Sequence, residues 1–311
     1  MSTVLIFSNN PQSFTDAIGF LEVLKQKGLN VDKIIGVTSN NSANTEDIKK
    51  LGILELYLYD SKSTDDQIAK GLFQLVKKFS PNIILSSSSK TNNSILAYLS
   101  GLLSLPMLTE ISDLLNATSD TLTLSRSVLA GRAYSIESVK LPAIITITPK
   151  KFTPSNLAAT NDIKLDNLPL QDTTVKIVEV TPKKREGVKI EDAEIVVGVG
   201  RGFKSKEDLK LAFELASLLG GEVGCSRPIA ADLRWLPEDR WIGISMKKIR
   251  PKLYIAIGIS GAPQHMSAVD AKIIVAVNKD KNASIFSYSD YGIVADLYQF
   301  LPILINKLKK K

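Results

Sequence analysis

A chain of 311 residues with 44% hydrophobic side chains can bury one large core or two moderate ones, and its length favours two domains. A single cysteine and a single histidine exclude an internal disulfide framework and a Cys/His metal cluster, so no metal site is expected. The formal charge of +7 raises the question of nucleic acid, yet the lysines are spread over the expected helix faces, with small clusters at "PKKRE" (182–186) and "KLKKK" (307–311). No aromatic-interleaved basic stripe accompanies them, which points to a solvated basic surface and no nucleic-acid partner.

In chain order, "TVLIFS" (3–8) is a short apolar run that reads as a strand, with no basic or Arg-rich targeting segment before it. "TDAIGFLEVLKQKG" (15–28) has helical spacing closed by Gly28. "VDKIIGVTS" (31–39), "LELYLYD" (54–60) and "PNIILSSSS" (81–89) read as further buried strands. The segments "STDDQIAKGLFQLVKKFS" (63–80) and "TNNSILAYLSGLLSL" (91–105) read as helices. Apolar strands alternating with helices predict a parallel sheet covered on both faces. From about residue 120 the texture changes to strands that close the first domain. The longest apolar region, 95–108, is interrupted by Ser100, Gly101, Ser104 and Pro106. It is too short and broken to span a bilayer, so a cytoplasmic chain, not embedded in a membrane, is expected.

The polar stretch 170–194 is the expected domain boundary. It gives domains at 1–172 and 191–311 joined by a linker at 173–190. Beyond it the alternation restarts with a strand in "EIVVGVG" (194–200), a helix in "SKEDLKLAFELASLLGG" (205–221), and strands in "KLYIAIGI" (252–259) and "KIIVAVN" (272–278). A last amphipathic segment, 291–311, carries Pro302, which should kink or split it.

Five segments of the second half carry chemistry. In "IVVGVGRGFKSKEDLKLAF" (195–213) a strand ends in Gly198, Gly200 and Gly202, and a helix begins near Ser205. The spacing is not the dinucleotide fingerprint, but glycines allow close backbone approach and a helix start presents free N–H groups to an anion. Arg201 adds a charge suited to a diphosphate; an ordinary tight turn is the alternative. "LYIAIGISGAPQHM" (253–266) is a strand and a turn whose Ser260 and Gly261 offer donors, ending at His265, the lone histidine. In "GEVGCSRPIAADLRWLP" (221–237), Ser226 and Arg227 follow a short strand, and "RWIGISMKK" (240–248) offers the Ser245 hydroxyl. In "VNKDKNASIFSYSDYGIVADL" (277–297), Asn278 ends a strand and Asp296 and Leu297 lie in a helix. Taken singly, each has an ordinary structural explanation.

Taken in order, "VGVGRGFKS", "VGCSRP", "LYIAIGISGAPQHM", "IVAVNKDKNASIF" and "DYGIVADL" resemble the C-terminal FAD domain of the alpha subunit of electron transfer flavoprotein, over residues 194 to 300. Residues 1 to 170 resemble the family's first domain more loosely, through "ISDLL" (111–115), "RSVLAGRAYS" (126–135) and "LPAIITITPKKF" (141–152). The resemblance implies an N-terminal nucleotide-hydrolase-like α/β domain, structural and part of the subunit interface. A C-terminal Rossmann-like FAD-binding domain with a parallel sheet follows it. The resemblance also implies a heterodimer with a beta subunit, acting as an electron carrier rather than an enzyme. Donors would be dehydrogenases of the acyl-CoA dehydrogenase type, as in fatty acid beta-oxidation, and the acceptor a membrane quinone oxidoreductase.

Residue by residue, the resemblance implies Arg201 at the phosphates and Ser226 and Arg227 against the isoalloxazine. Ile242, Gly243, Ile244 and Ser245 would line the ring, with the Ser245 hydroxyl near the redox-active nitrogen. Ser260, Gly261, Ala262, Pro263, Gln264 and His265 would follow the ribityl chain to the pyrimidine carbonyl. Asn278, Asp296 and Leu297 would hold the adenosine. Reduction places negative charge on the pyrimidine edge, so a cation or strong donor there stabilises the reduced forms. Unit charges about 4 Å apart interact by roughly 4 kcal/mol at an effective dielectric near 20, and a tenfold one-electron change is about 59 mV. Arg227, Ser245 and His265 are therefore the expected tuning residues, with Arg227 and His265 shifting the potential by on the order of 100 mV.

Trp241, Ile244 and Met246 depart from the family's pattern and bear on that potential. A simple carrier and an electron-bifurcating variant using NADH and ferredoxin both stay open. An NAD-dependent dehydrogenase would need a nicotinamide fingerprint with an acidic residue about twenty positions on, plus a catalytic acid or base. Neither is found beyond His265. An adenine-nucleotide module would need Gly-rich positions that "VLIFSNNPQSF" (4–14) lacks.

Overall fold

The computed structural model describes residues 2–9, 11–42, 48, 50–155, 163–173, 175, 177–179, 181 and 189–310. The chain divides into two compact units, Met1–Pro182 and Lys183–Lys311. Residues 174, 176, 180 and 182–188 of the expected linker lie outside the described set. Its last residue, Ile190, is buried in the second unit's core with Val196 and Ile249, so that unit's packing begins before 191.

The strands of the first unit are β1 (Thr3–Phe7), β2 (Lys33–Ser39), β3 (Glu55–Tyr59), β4 (Ile83–Ser87), β5 (Met107–Ala117), β6 (Thr121–Val128), β7 (Ala133–Lys140), β8 (Ala143–Ile147) and β9 (Lys164–Asn167). They form one sheet in the order β7-β6-β5-β8-β4-β1-β2-β3-β9. The central strands pair in parallel. Alternate residues serve opposite faces, as a pleated strand requires. Val4 and Ile6 pack with helix α1 (Pro11–Gln26) through Phe14 and Phe20. Leu5 and Phe7 pack with α2 (Asp65–Phe79) and α3 (Lys90–Leu103) through Leu72 and Leu96. The closing strands form an antiparallel ribbon, β5-β6-β7, and β5 already starts at Met107.

The second unit contains β10 (Ile195–Val199), α4 (Lys210–Leu219), β11 (Glu222–Cys225), β12 (Leu253–Ile257), α5 (Pro263–Met266), β13 (Ile273–Asn278), β14 (Tyr291–Val294) and α6 (Leu297–Lys309). Its five strands are ordered β11-β10-β12-β13-β14, and every pair is parallel. The strand order reverses between β10 and β12, the place where open α/β sheets form a crevice at the carboxyl ends of their strands. One face, with Val197, Val199, Ile255 and Ile257, is covered by α4 and α6. The other, with Val196, Tyr254 and Ala256, is covered by Ile242, Ile249, Met266 and Ile285 from loops and the short α5. Helix α6 is not split by Pro302: Leu297, Leu301 and Ile305 are buried four residues apart and anchor it on both sides of the proline.

Candidate functional site

Every strand of the second unit exits toward a residue singled out in the sequence. Arg201 follows β10, Ser226 and Arg227 follow β11, Ser260 to His265 follow β12, Asn278 ends β13, and Asp296 and Leu297 follow β14. Parallel strands point one way, so these exits share one edge of the sheet. The loop carrying Ile242 to Ser245 bridges them: the Ile242 N–H donates to the Cys225 carbonyl (2.9 Å) and the Ile244 N–H to the Gln264 carbonyl (3.1 Å).

The glycine run serves the chain's own backbone before any ligand. The Gly200 N–H donates to the Ile257 carbonyl and the Gly202 N–H to the Gly258 carbonyl, both at 3.0 Å. A Cβ on Gly200 would lie 2.3 Å from the Gly258 oxygen, and one on Gly202 would lie 2.6 Å from the Gly258 Cα. Gly258 itself has φ +63°, which favours glycine. The start of the following helix also differs from expectation. A 3-10 turn, Glu207–Leu209, precedes α4, and the amides leading into it are engaged. The Lys204 N–H donates to the Tyr298 hydroxyl (2.7 Å) and the Ser205 N–H to the Asp208 carboxylate (3.1 Å). Tyr298 in turn donates to Asp208 (2.7 Å), holding that carboxyl below its usual range. Arg201 stands exposed on the turn.

At the β11 exit, Ser226 is buried and Arg227 exposed, with the guanidinium 5.8 Å from the Trp241 ring centroid, a cation–π distance. The Arg227 guanidinium makes no ion pair among the described residues. Trp241 is fixed at its backbone, donating to the Glu238 carbonyl and accepting from the Lys247 N–H (both 3.1 Å). Burial pushes the Cys225 thiol up to about 12, so this cysteine is a packing residue and not a thiolate. Ile244, an apolar side chain 40% exposed, and Ser245 form the adjoining rim.

His265 is buried beneath that rim. Its Nε2 lies 2.7 Å from the Tyr254 hydroxyl, while its Nδ1 is buried without a hydrogen-bond partner. Burial holds the imidazole down to about 4, outweighing the Ile242 carbonyl, which favours a proton on the ring but makes no well-formed hydrogen bond to Nδ1. The ring is therefore held neutral near pH 7, so what it can offer a ligand is a hydrogen bond rather than a charge. Below 6.5 the unfolded chain binds this proton and the folded chain does not, so the contribution is complete above pH 6.5 and is lost as pH falls toward about 4. The loss is on the order of 3 kcal/mol at most. In urea melts, the stability advantage of the wild type over His265→Gln is expected to shrink as pH falls from about 7 to about 4.5. A pH-independent difference contradicts a buried neutral imidazole.

The remaining candidates are tied to the same edge but serve the fold. Asn278 donates through Nδ2 to the Ile259 carbonyl (2.9 Å) and accepts at Oδ1 from the Asp280 N–H (3.0 Å), joining the β13 and β12 exits. Asp296 caps α6, accepting from the Tyr298 N–H at 2.7 Å. Leu297 is buried against Gly202 and Gly258. Gly261, at φ +90°, packs so closely on Ile285 that a Cβ would lie 2.2 Å from its nitrogen. Ala262, the N-cap of α5, and Pro263 and Gln264, its first two residues, are exposed. Sequence reasoning missed Tyr254, which packs against the already noted Gly198, where a Cβ would sit 2.1 Å from the Tyr254 hydroxyl oxygen. A cavity of about 520 Å³ lined by Lys206, Arg234, Trp235 and Glu238 contains none of the sequence-selected residues. Among the described residues no group of three or more His, Cys, Asp or Glu could hold a metal, and no helix is long and apolar enough to cross a membrane.

Residues 189–270 match the electron transfer flavoprotein FAD-binding domain, and residues 23–182 match the electron transfer flavoprotein domain. An Escherichia coli K12 protein provisionally named electron transfer flavoprotein subunit YdiR is 32% identical over 317 residues, covering 100% of this chain and 99% of that protein. Protein FixB of Salmonella typhimurium LT2 is 30% identical over 317 residues, covering 99% of each. FixB of Escherichia coli O139:H28 is 39% identical over 192 residues, 60% of this chain and 61% of that protein. The two family matches, together with the two relatives that cover the chain from end to end, place the chain in the electron transfer flavoprotein family as an alpha-type subunit with an FAD-binding domain.

Proposed function

We propose that FAD lies along the carboxyl edge of the second unit's sheet and that the chain is an electron carrier, not an enzyme in its own right. The carrying observation is the buried, unpartnered Nδ1 of His265 beneath an exposed rim. A buried polar atom without a partner costs about 1–3 kcal/mol, which a ligand acceptor would relieve. When bound, FAD supplies the redox chemistry; the chain binds, orients and tunes it.

In this reading Arg201 meets the phosphates, while Ser226 and Arg227 flank the ring with Ile242, Gly243, Ile244 and Ser245. Ser260, Gly261, Ala262, Pro263, Gln264 and His265 follow the ribityl chain. Asn278, Asp296 and Leu297 shape the adenosine end, chiefly by fixing backbone there. The functional domains are 1–172 and 191–311. The first joins a beta subunit, a role supported by Leu129, Tyr134 and Ile136, exposed at 74%, 70% and 66% on and beside the β6–β7 ribbon. Dehydrogenases of the acyl-CoA dehydrogenase type donate electrons, and a membrane quinone oxidoreductase accepts them. The test is reduction of the co-purified heterodimer by such a dehydrogenase with its acyl-CoA substrate. Reduction by NADH alone, and none by the dehydrogenase, contradicts this choice of donor.

A further inference from the structure

We propose that Tyr254 is a positioning residue that fixes the tautomer of His265, keeping the proton on Nδ1 and presenting an N–H donor to the cofactor's acceptor edge. The inference deepens the proposed function and rests on it for the identity of the ligand, but the tautomer is a property of this chain alone.

Tyr254 sits on the central strand β12, fully buried on the face covered by loops. Its hydroxyl reaches past the neighbouring strand because Gly198 of β10 has no side chain there; any Cβ would collide with the hydroxyl oxygen at 2.1 Å. The absence of a side chain on one strand thus makes room for the hydroxyl of another, and that hydroxyl meets His265 Nε2 at 2.7 Å. Among the described residues it has no other hydrogen-bond partner.

Proton accounting then decides the direction. A phenol carries one proton, and a neutral imidazole has one N–H and one bare nitrogen. If Nε2 carried the proton and donated to the tyrosine oxygen, the phenolic proton would be buried without an acceptor, and Nδ1 would be a bare acceptor, also buried and unpaired. If Tyr254 donates to Nε2, the phenolic proton is satisfied and Nδ1–H remains as the one open group. The second arrangement leaves one buried group unpaired where the first leaves two, and so is the favoured one. Charged alternatives are closed: burial pushes the tyrosine far above its ordinary range and the imidazole well below its own. The Ile242 carbonyl near the ring favours a proton there but forms no hydrogen bond with Nδ1. The Nδ1–H therefore still lacks a formed partner, and a carbonyl at the electron-rich edge of a flavin has the chemistry to supply one.

Because the chain has a single histidine, the experiment is direct. The full chain is labelled with 15N-histidine and its one imidazole is read by two-bond 1H–15N correlation, with and without FAD. The expected result is a proton-bearing Nδ1 and a bare Nε2 in the wild type. In Tyr254→Phe, which keeps the ring and removes only the hydroxyl, the proton is expected to move to Nε2 or divide between the nitrogens. FAD binding should weaken about fivefold, the worth of one ordinary hydrogen bond. A wild-type proton on Nε2, or an Nδ1 proton unmoved in Tyr254→Phe, overturns the inference. Should Tyr254→Phe not fold, the wild-type spectrum alone decides. If neither chain binds FAD, the flavin reading fails, while the tautomer measured without FAD still passes or fails by the same criteria.

Discussion

Gly200→Ala is expected to unfold the second unit or lower its stability by at least about 3 kcal/mol, and to abolish flavin retention. The added Cβ would lie 2.3 Å from the Gly258 oxygen, 2.8 Å from its carbonyl carbon and 2.8 Å from the Ile259 Cα. All three are backbone atoms, so no side-chain rotation relieves the clash. The β10 and β12 exits would have to separate, breaking the hydrogen bonds from Gly200 to Ile257 and from Gly202 to Gly258. Overpacking a tight core costs about 1–3 kcal/mol or more, and each lost hydrogen bond about 1 kcal/mol, against a total stability of roughly 5–15 kcal/mol. Gly101→Ala is the control: that glycine lies within α3 with nothing within 4 Å of a new Cβ, so the change is neutral or stabilising by up to about 1 kcal/mol. Thermal melts and bound-flavin content check both; a Gly200→Ala chain that melts with the wild type contradicts the packing account.

Arg227→Ala is expected to lower the flavin's first one-electron potential by on the order of 100 mV. A neutral His265 leaves the charge term to the guanidinium alone. The imidazole contributes a hydrogen bond worth about 1 kcal/mol, or about 40 mV for one electron. Trp241 holds that guanidinium at 5.8 Å. Trp241→Leu should therefore give a partial loss, and Trp241→Phe, which keeps an aromatic face, a smaller one. Potentiometric titration separates the variants. An Arg227→Ala chain with an unchanged potential contradicts the tuning role.

Much of the second unit was legible because its signals are local. Short, β-branched apolar runs such as "IVVGV" and "YIAI", each followed by a glycine, read as buried strands of a parallel sheet, and each ends where the apolar pattern stops. The candidate residues follow those endings, so parallel topology gathers them without any detailed coordinates. What was not legible is contact between strands. Gly198, Gly200 and Gly202 read as room for a ligand, whereas they make room for Tyr254 and for the Gly258 backbone. Tyr254 carries no signal of its own in the sequence, because its bond to His265 spans eleven residues and joins strand to helix. In the first unit, β5 was blurred by two register shifts against β6. Strand β9, whose four residues "KLDN" are all exposed, has no apolar pattern to reveal it. Helix α6 passed through Pro302 because buried leucine and isoleucine contacts outweighed the missing N–H.

The most direct test of the whole account is the flavin content of the full chain purified with its beta-type partner, compared between the wild type, Gly101→Ala and Gly200→Ala. The account predicts a yellow wild type and Gly101→Ala, each holding FAD in the alpha chain, and a Gly200→Ala complex that has lost it. A wild-type complex that is colourless and stays so after FAD is added, or a Gly200→Ala complex with undiminished flavin, contradicts a cofactor seated on the strand exits of the second unit.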